Sequence, residues 1–200
     1  MSYHDAFKLN VPEGESGDWS VKRFTVSEAD EKFGRMRAVV SRSALGRWVD
    51  AGDYTGLYRR GEVVMSDTPN EIRDHVFPYL EAKARGGHVL INGLGLGLIT
   101  AAIARCENVE RVTVVEISAD VIKLVGPTLE AQFAGKVQIV HADALKFRPG
   151  KGEKFSVAWH DIWPAISGDN LPEMTTLHRR YGRRCEWQGS WARELCQRRR

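Results

Sequence analysis

The chain has 200 residues, a formal net charge of +3, 42% hydrophobic and 28% charged residues, which is the balance of a globular protein with a buried core and excludes a disordered or collagenous chain. No run approaches the roughly 18 apolar residues of a membrane helix, and the first residues lack the basic and apolar blocks of a signal peptide, so a cytoplasmic protein without a membrane partner is expected. Cys106, Cys185 and Cys196 are odd in number and have no C-x-x-C spacing, which argues for reduced thiols and against a disulfide framework or a zinc site; no metal is expected.

In chain order, residues 1–18 are turn-rich (Val11-Pro-Glu-Gly-Glu-Ser-Gly-Asp18) and read as an irregular lead-in. Residues 19–26 alternate as a strand. Ser27-Glu-Ala-Asp30 is a capping box opening a helix over 27–42, with Phe33, Met36, Val39 and Val40 on its apolar face. Residues 54–58 and 62–65 form a hairpin turning at Arg60-Gly61. Ser66-Asp67-Thr68-Pro69 starts a helix with proline where its missing N–H matters least. That helix runs to Ala84 with Ile72, Val76 and Leu80 toward the core, and Arg85-Gly86-Gly87 ends it.

Beyond His88 the alternation is regular: strand 88–92, helix 98–106, strand 111–116, a helix from Ser118 bent or broken at Gly126-Pro127, strand 136–140 and strand 155–160. Such alternation implies crossover helices and a parallel sheet. From residue 171 the spacing is helical, first at Met174, Leu177 and Tyr181, then at Trp187, Trp191 and Leu195. The expected fold is α/β, a Rossmann-like parallel sheet with flanking helices, shortened at the C-terminal side, with an N-terminal α+β extension. The chain divides into an extension or lid over 1–66 and a Rossmann-like domain with a helical tail over 67–200. The uncovered sheet edge suggests a homodimer.

Charge is uneven. Residues 178–200 hold eight arginines against Glu186 and Glu194, a local +6, so residues 1–177 carry −3. A solvated helix face with a frayed end accounts for this, and a basic tail that binds phosphates or acidic partners is the other reading. Nucleic acid stays possible as a partner, without an aromatic stacking pattern or groove-reading motif to support it.

Three segments carry chemistry. Asn92-Gly93-Leu-Gly95-Leu-Gly97 joins a strand to a helix, where glycines permit a tight turn and let backbone N–H groups approach a ligand at the positive end of the helix. A dinucleotide fingerprint needs a third small residue at position 98, and Leu98 stands there. Glu116 ends Val112-Thr-Val-Val-Glu, and its two oxygens match the two hydroxyls of a ribose. Asp143-Ala144 follows the third strand of this unit, and Trp159-His160-Asp161-Ile-Trp163-Pro164 follows the fourth, at the sheet edge where open α/β sheets bind ligands.

The G-x-G-x-G spacing resembles the first motif of class I S-adenosylmethionine-dependent methyltransferases and of the related spermidine synthase-like aminopropyltransferases. The usual acid before the first glycine is Asn92 here. The resemblance covers roughly residues 57 to 164. It implies S-adenosyl-L-methionine as cofactor, contacted by Asn92, Gly93, Gly95 and Gly97 in the loop, by Glu116 at the ribose, and by Asp143 and Ala144 at the adenine. The 155–164 segment is most similar to the F-D-x-x-x-x-D-T-Y-P motif of guanidinoacetate methyltransferase-like proteins. That similarity implies methyl transfer to a nitrogen of an unidentified small-molecule or peptide amine or guanidine. Asp161 and His160 are then the catalytic candidates, Asp161 holding the acceptor and His160 acting as a base near neutral pH, with Trp163 and Trp159 packing over the acceptor. The 61–71 segment resembles the lid of the same proteins, which makes Met65 a cofactor contact and Asp67 an acceptor contact, with Thr68 beside them. Two alternatives remain: an aminopropyltransferase-like enzyme, which needs a second acid beside Asp161, and a degenerate cofactor-binding module that acts through its basic tail.

Overall fold

A computed structural model describes residues 3–40 and 48–198. Two sheets organise them. The first is antiparallel, in the order β1 (Gly14–Ser16), β2 (Trp19–Val26), β3 (Gly52–Arg59) and β4 (Glu62–Ser66), with α1 (Tyr3–Phe7) before it and α2 (Glu28–Val40) between β2 and β3. The β3–β4 turn has positive φ at Arg60 (52°) and Gly61 (86°), the backbone twist that suits a two-residue hairpin. The expected lead-in over 1–18 therefore contains a helical turn and an edge strand. The strand is tied to the rest of the chain by the Ser16 hydroxyl, which donates to Asp120 Oδ1 at 2.8 Å.

The second sheet is wholly parallel. After α3 (Pro69–Arg85) come β5 (Gly87–Asn92), α4 (Leu98–Ala104), β6 (Val109–Glu116), α5 (Ala119–Gln132), β7 (Val137–His141), β8 (Phe155–His160), α6 (Leu171–Tyr181), β9 (Cys185–Ser190) and α7 (Arg193–Arg198). The strand order is β7-β6-β5-β8-β9. This is a Rossmann-like sheet, whose order reverses between β5 and β8. Alternate residues of the central strands feed two cores: Val89, Ile91, Val112 and Val114 face α3, α4 and α5, while Leu90 and Val115 face α6 and α7 with Met174, Leu177 and Tyr181. Burial on both faces is why these strands read as nearly unbroken apolar runs.

Four expectations are corrected. The stretch expected to be helical around Trp187 forms β9, which pairs with β8 (Val157 with Trp187, His160 with Ser190), so the sheet has a fifth strand. The helix from Ser118 is not broken at Gly126-Pro127 but continues through them to Gln132. On α2, Phe33 and Met36 are exposed rather than packed, while Val39, Val40 and the expected end at 41–42 lie outside the described side chains or residues. On α3 the buried face is Ile72, His75, Pro78, Tyr79 and Ala82, and Leu80 is half exposed. The true face is rotated from the one the aliphatic residues suggest, and it turns a histidine inward.

Candidate functional site

A cavity of about 570 Å³ opens at the carboxyl edge of the parallel sheet, between it and the β3–β4 hairpin. At its centre is the β5–α4 loop. Gly93, Gly95 and Gly97 all have positive φ (101°, 50° and 75°), a region that side chains other than glycine rarely adopt. An added Cβ on Gly93 would run into the carbonyl of Asp161, and one on Gly95 into the sulfur of Met65. Gly97 is different: a Cβ there would press on Leu9, Val125 and Leu129. Its role is to let α4 close on the core, and it does not line the cavity.

Glu116 ends β6 beside that loop. Its Oε2 accepts from Leu94 N and its Oε1 from Ser118 N, both at 2.8 Å. The carboxylate thus stiffens the glycine turn and caps the approach to α5, and each oxygen keeps a further lone pair. Asp143, past β7, accepts from Leu145 N at 2.8 Å and faces Lys146 at 3.4 Å, with the small buried Ala144 next to it. Gly93, Gly95, Glu116, Asp143, Ala144, Met65, Asp161 and Trp163 all line the one cavity. Met65 lies on the glycine loop, its thioether accepting from Leu96 N at 3.4 Å. Trp163 is fixed by Nε1, which donates to Glu173 at 2.8 Å.

Besides Gly97, five expected site residues do not line the cavity. Asn92 is fully buried, and its amide nitrogen donates across the sheet to His160 Nδ1 at 2.8 Å, because parallel register sets the two residues side by side. His160 is spent in that contact, with Nε2 toward Gln188 Oε1 at 3.5 Å. Burial first, then the neighbouring His178, pushes its pKa down to about 3. It is a neutral core group and has neither the access nor the basicity of a base at neutral pH. Trp159 is buried and stacked on Trp187, with centroids 6.5 Å apart. Asp67 is occupied by Thr55, whose N–H donates to its Oδ1 at 2.7 Å, which pins β3 to β4. Thr68 is the buried residue just before α3, and its hydroxyl is bonded to that of Ser66 at 3.0 Å.

Sequence reasoning missed a second wall of the cavity: Trp19 and Arg59 from the antiparallel sheet, Glu71 and His75 from α3, and Trp191 after β9. His75 is 1% exposed. Its Nε2 meets Asp161 Oδ2 and its Nδ1 meets the Glu71 carbonyl, both at 2.8 Å. Burial works against a charge on this ring, yet the bond to Asp161 and its charge, aided by Glu71, outweigh burial and raise the pKa above the ordinary histidine value. Trp191 Nε1 donates to Asp74 at 3.2 Å. Four acidic residues (Glu71, Glu116, Asp143 and Asp161) therefore line the cavity beside Arg59 and His75. Such a lining favours a ligand rich in hydroxyl and amine donors, or a cation.

No family model matches the sequence, and no curated protein matches it. Solved structures similar to this chain include a 23S rRNA methyltransferase, ErmE (21% identity, 57% of this chain and 45% of that chain, TM-score 0.44). They also include protein arginine methyltransferase 10 of Arabidopsis thaliana (14% identity, 56% and 33%, TM-score 0.46). A third is an S-adenosylmethionine-dependent methyltransferase of Thiobacillus denitrificans in complex with S-adenosyl-L-homocysteine (23% identity, 55% and 44%, TM-score 0.43). This chain spans less than half the length of each of these three proteins. No helix among the described residues is long and apolar enough to cross a membrane.

Proposed function

We propose that the chain is a class I S-adenosyl-L-methionine-dependent methyltransferase acting on a nitrogen of a small-molecule or peptide amine or guanidine. One observation carries the reading: a glycine turn after β5, a carboxylate at the tip of β6 and another past β7 open onto the same cavity. The donor set fits the cofactor. Gly93 and Gly95 leave bare backbone where a side chain would collide. Glu116 retains lone pairs for two ribose hydroxyls, and Ala144 leaves room beside Asp143 for a flat base. The four acidic residues on the wall suit a sulfonium cation.

When bound, the cofactor supplies a methyl group on a sulfonium that a nitrogen lone pair can attack. The residues of this chain have the work of alignment and of excluding water, which together account for much of the rate of such a displacement. Asp161, at the exit of β8, offers a carboxylate oxygen to an N–H of the acceptor. Trp163 and Trp191, each fixed by an indole N–H bond, give the acceptor flat apolar walls. The 1–66 unit serves as a lid, with Met65 resting on the glycine loop.

The test is transfer of an isotopically labelled methyl group from S-adenosylmethionine to a panel of amines, guanidines and arginine- or lysine-containing peptides, read by mass spectrometry. Label on nitrogen, abolished by Glu116→Ala and Gly95→Val in folded protein, is the expected result. Cofactor binding without transfer to any member of the panel would instead favour a binding module.

A further inference from the structure

Asp161 has two oxygens, and the protein uses one. Oδ2 is held by His75 Nε2 at 2.8 Å, and no other hydrogen bond to this carboxylate is made among the described residues. The opposite ring nitrogen, Nδ1, meets the carbonyl of Glu71 at 2.8 Å. A carbonyl and a carboxylate can only accept hydrogen bonds. A neutral imidazole has a single N–H, so it would turn a lone pair toward one of these two oxygens in a site that is 1% exposed. The doubly protonated ring donates to both. The charged groups facing the ring are Asp161 from the exit of β8 and Glu71 from α3 itself, and the Trp159 ring, 6.3 Å away and edge-on, adds no charge.

We propose that His75 is a positioning residue: as an imidazolium it clamps Oδ2 of Asp161, so that Oδ1 faces the cavity as the acceptor for an N–H of the amine or guanidine that receives the methyl group. This inference rests on the methyltransferase reading. It assigns the recognition of the acceptor's N–H to a pair of residues joined across 86 positions of the chain. A hydroxyl donor could use the same oxygen, but a carboxylate or phosphate on the acceptor would face the Asp161 carboxylate and be repelled.

The experiment has two arms. In the first, ¹⁵N-resolved NMR of the unmodified chain at pH 7 counts ring N–H groups on His75. Two are expected, and one would overturn the proposal without any variant being made. In the second, calorimetry compares S-adenosylhomocysteine with the S-adenosylmethionine analogue that carries a protonated amine on carbon in place of the methylsulfonium. Wild-type protein is expected to prefer the amine analogue. His75→Gln and Asp161→Asn are each expected to reduce that preference about tenfold while leaving S-adenosylhomocysteine affinity within about twofold. A full preference retained in His75→Gln overturns the positioning role. Failure of S-adenosylhomocysteine to bind wild-type protein sinks the cofactor reading instead, and is distinguishable because the first arm does not depend on it.

Discussion

Two buried histidines stand on either side of the sheet's carboxyl edge and have opposite characters. His75 and His160 are 1% and 0% exposed, so desolvation disfavours charge on both. His75 faces two acceptors, Asp161 and the Glu71 carbonyl, and its pKa is raised. His160 receives an N–H from Asn92 on one nitrogen and lies 5.6 Å from the ring of His178, and its pKa falls to about 3. Burial sets the cost of the charge, and the type of partner decides whether the cost is met. The same contrast separates an ion pair on the cavity wall from a neutral strut in the core.

The largest effect expected from this contrast is on acid stability. Because the folded-state pKa of His160 lies below the unfolded value, the unfolded chain binds more protons, and stability falls as pH drops below about 6.5 by about 1.4 kcal/mol per pH unit, roughly 3 kcal/mol by pH 4.5. Urea unfolding of His160→Gln should lack that slope, so that its difference from wild type changes by about 1.4 kcal/mol per pH unit below pH 6.5; parallel pH curves would break the comparison. His75 has the opposite sign. Its raised pKa gives a contribution that is complete below pH 6.5 and lost as pH climbs through the folded value, so a His75→Gln difference should fade on the alkaline side.

Next in size is Asp161→Ala, which leaves the His75 ring buried against a single acceptor. A loss of about 2 kcal/mol in unfolding free energy is expected, with the NMR titration of His75 moving below the ordinary histidine value. An unmoved titration would show that Asp161 does not set the ring's charge. A smaller cost, about 1 kcal/mol, is expected for Gly95→Ala, since φ of 50° disfavours the substitution but the clashing Met65 sulfur ends a flexible side chain. The same variant should weaken S-adenosylhomocysteine binding in calorimetry. Smallest is Leu80→Ala, expected within about 0.5 kcal/mol of wild type because Leu80 is half exposed. A large loss there would mean that α3 turns a different face inward, and with it a different placement of His75.

The parallel core was legible in the sequence because strands buried on both faces leave unbroken apolar runs, and the loop at 93–97 and Glu116 were legible because each sits at the end of such a run; Asp143 was legible only from its place two residues past the half-exposed strand Val137–His141. β9 was hidden: Cys-Glu-Trp-Gln-Gly-Ser contains no β-branched residue, and its strand character comes from pairing with β8. Asn92 and His160 each looked like a site residue at a strand tip, but neighbouring register spends them on one another. His75 carried no local signal, since the partner that explains it lies 86 residues away, and the aliphatic pattern of α3 pointed to a face centred elsewhere.

Titration calorimetry of S-adenosylhomocysteine into the wild-type chain and into folded Glu116→Ala bears most directly on the convergence of β5, β6 and β7 on one ligand. Saturable one-to-one binding by the wild type, weakened at least about tenfold by the substitution, is the predicted outcome. Absence of binding at millimolar ligand, or equal affinity in the two proteins, would contradict it.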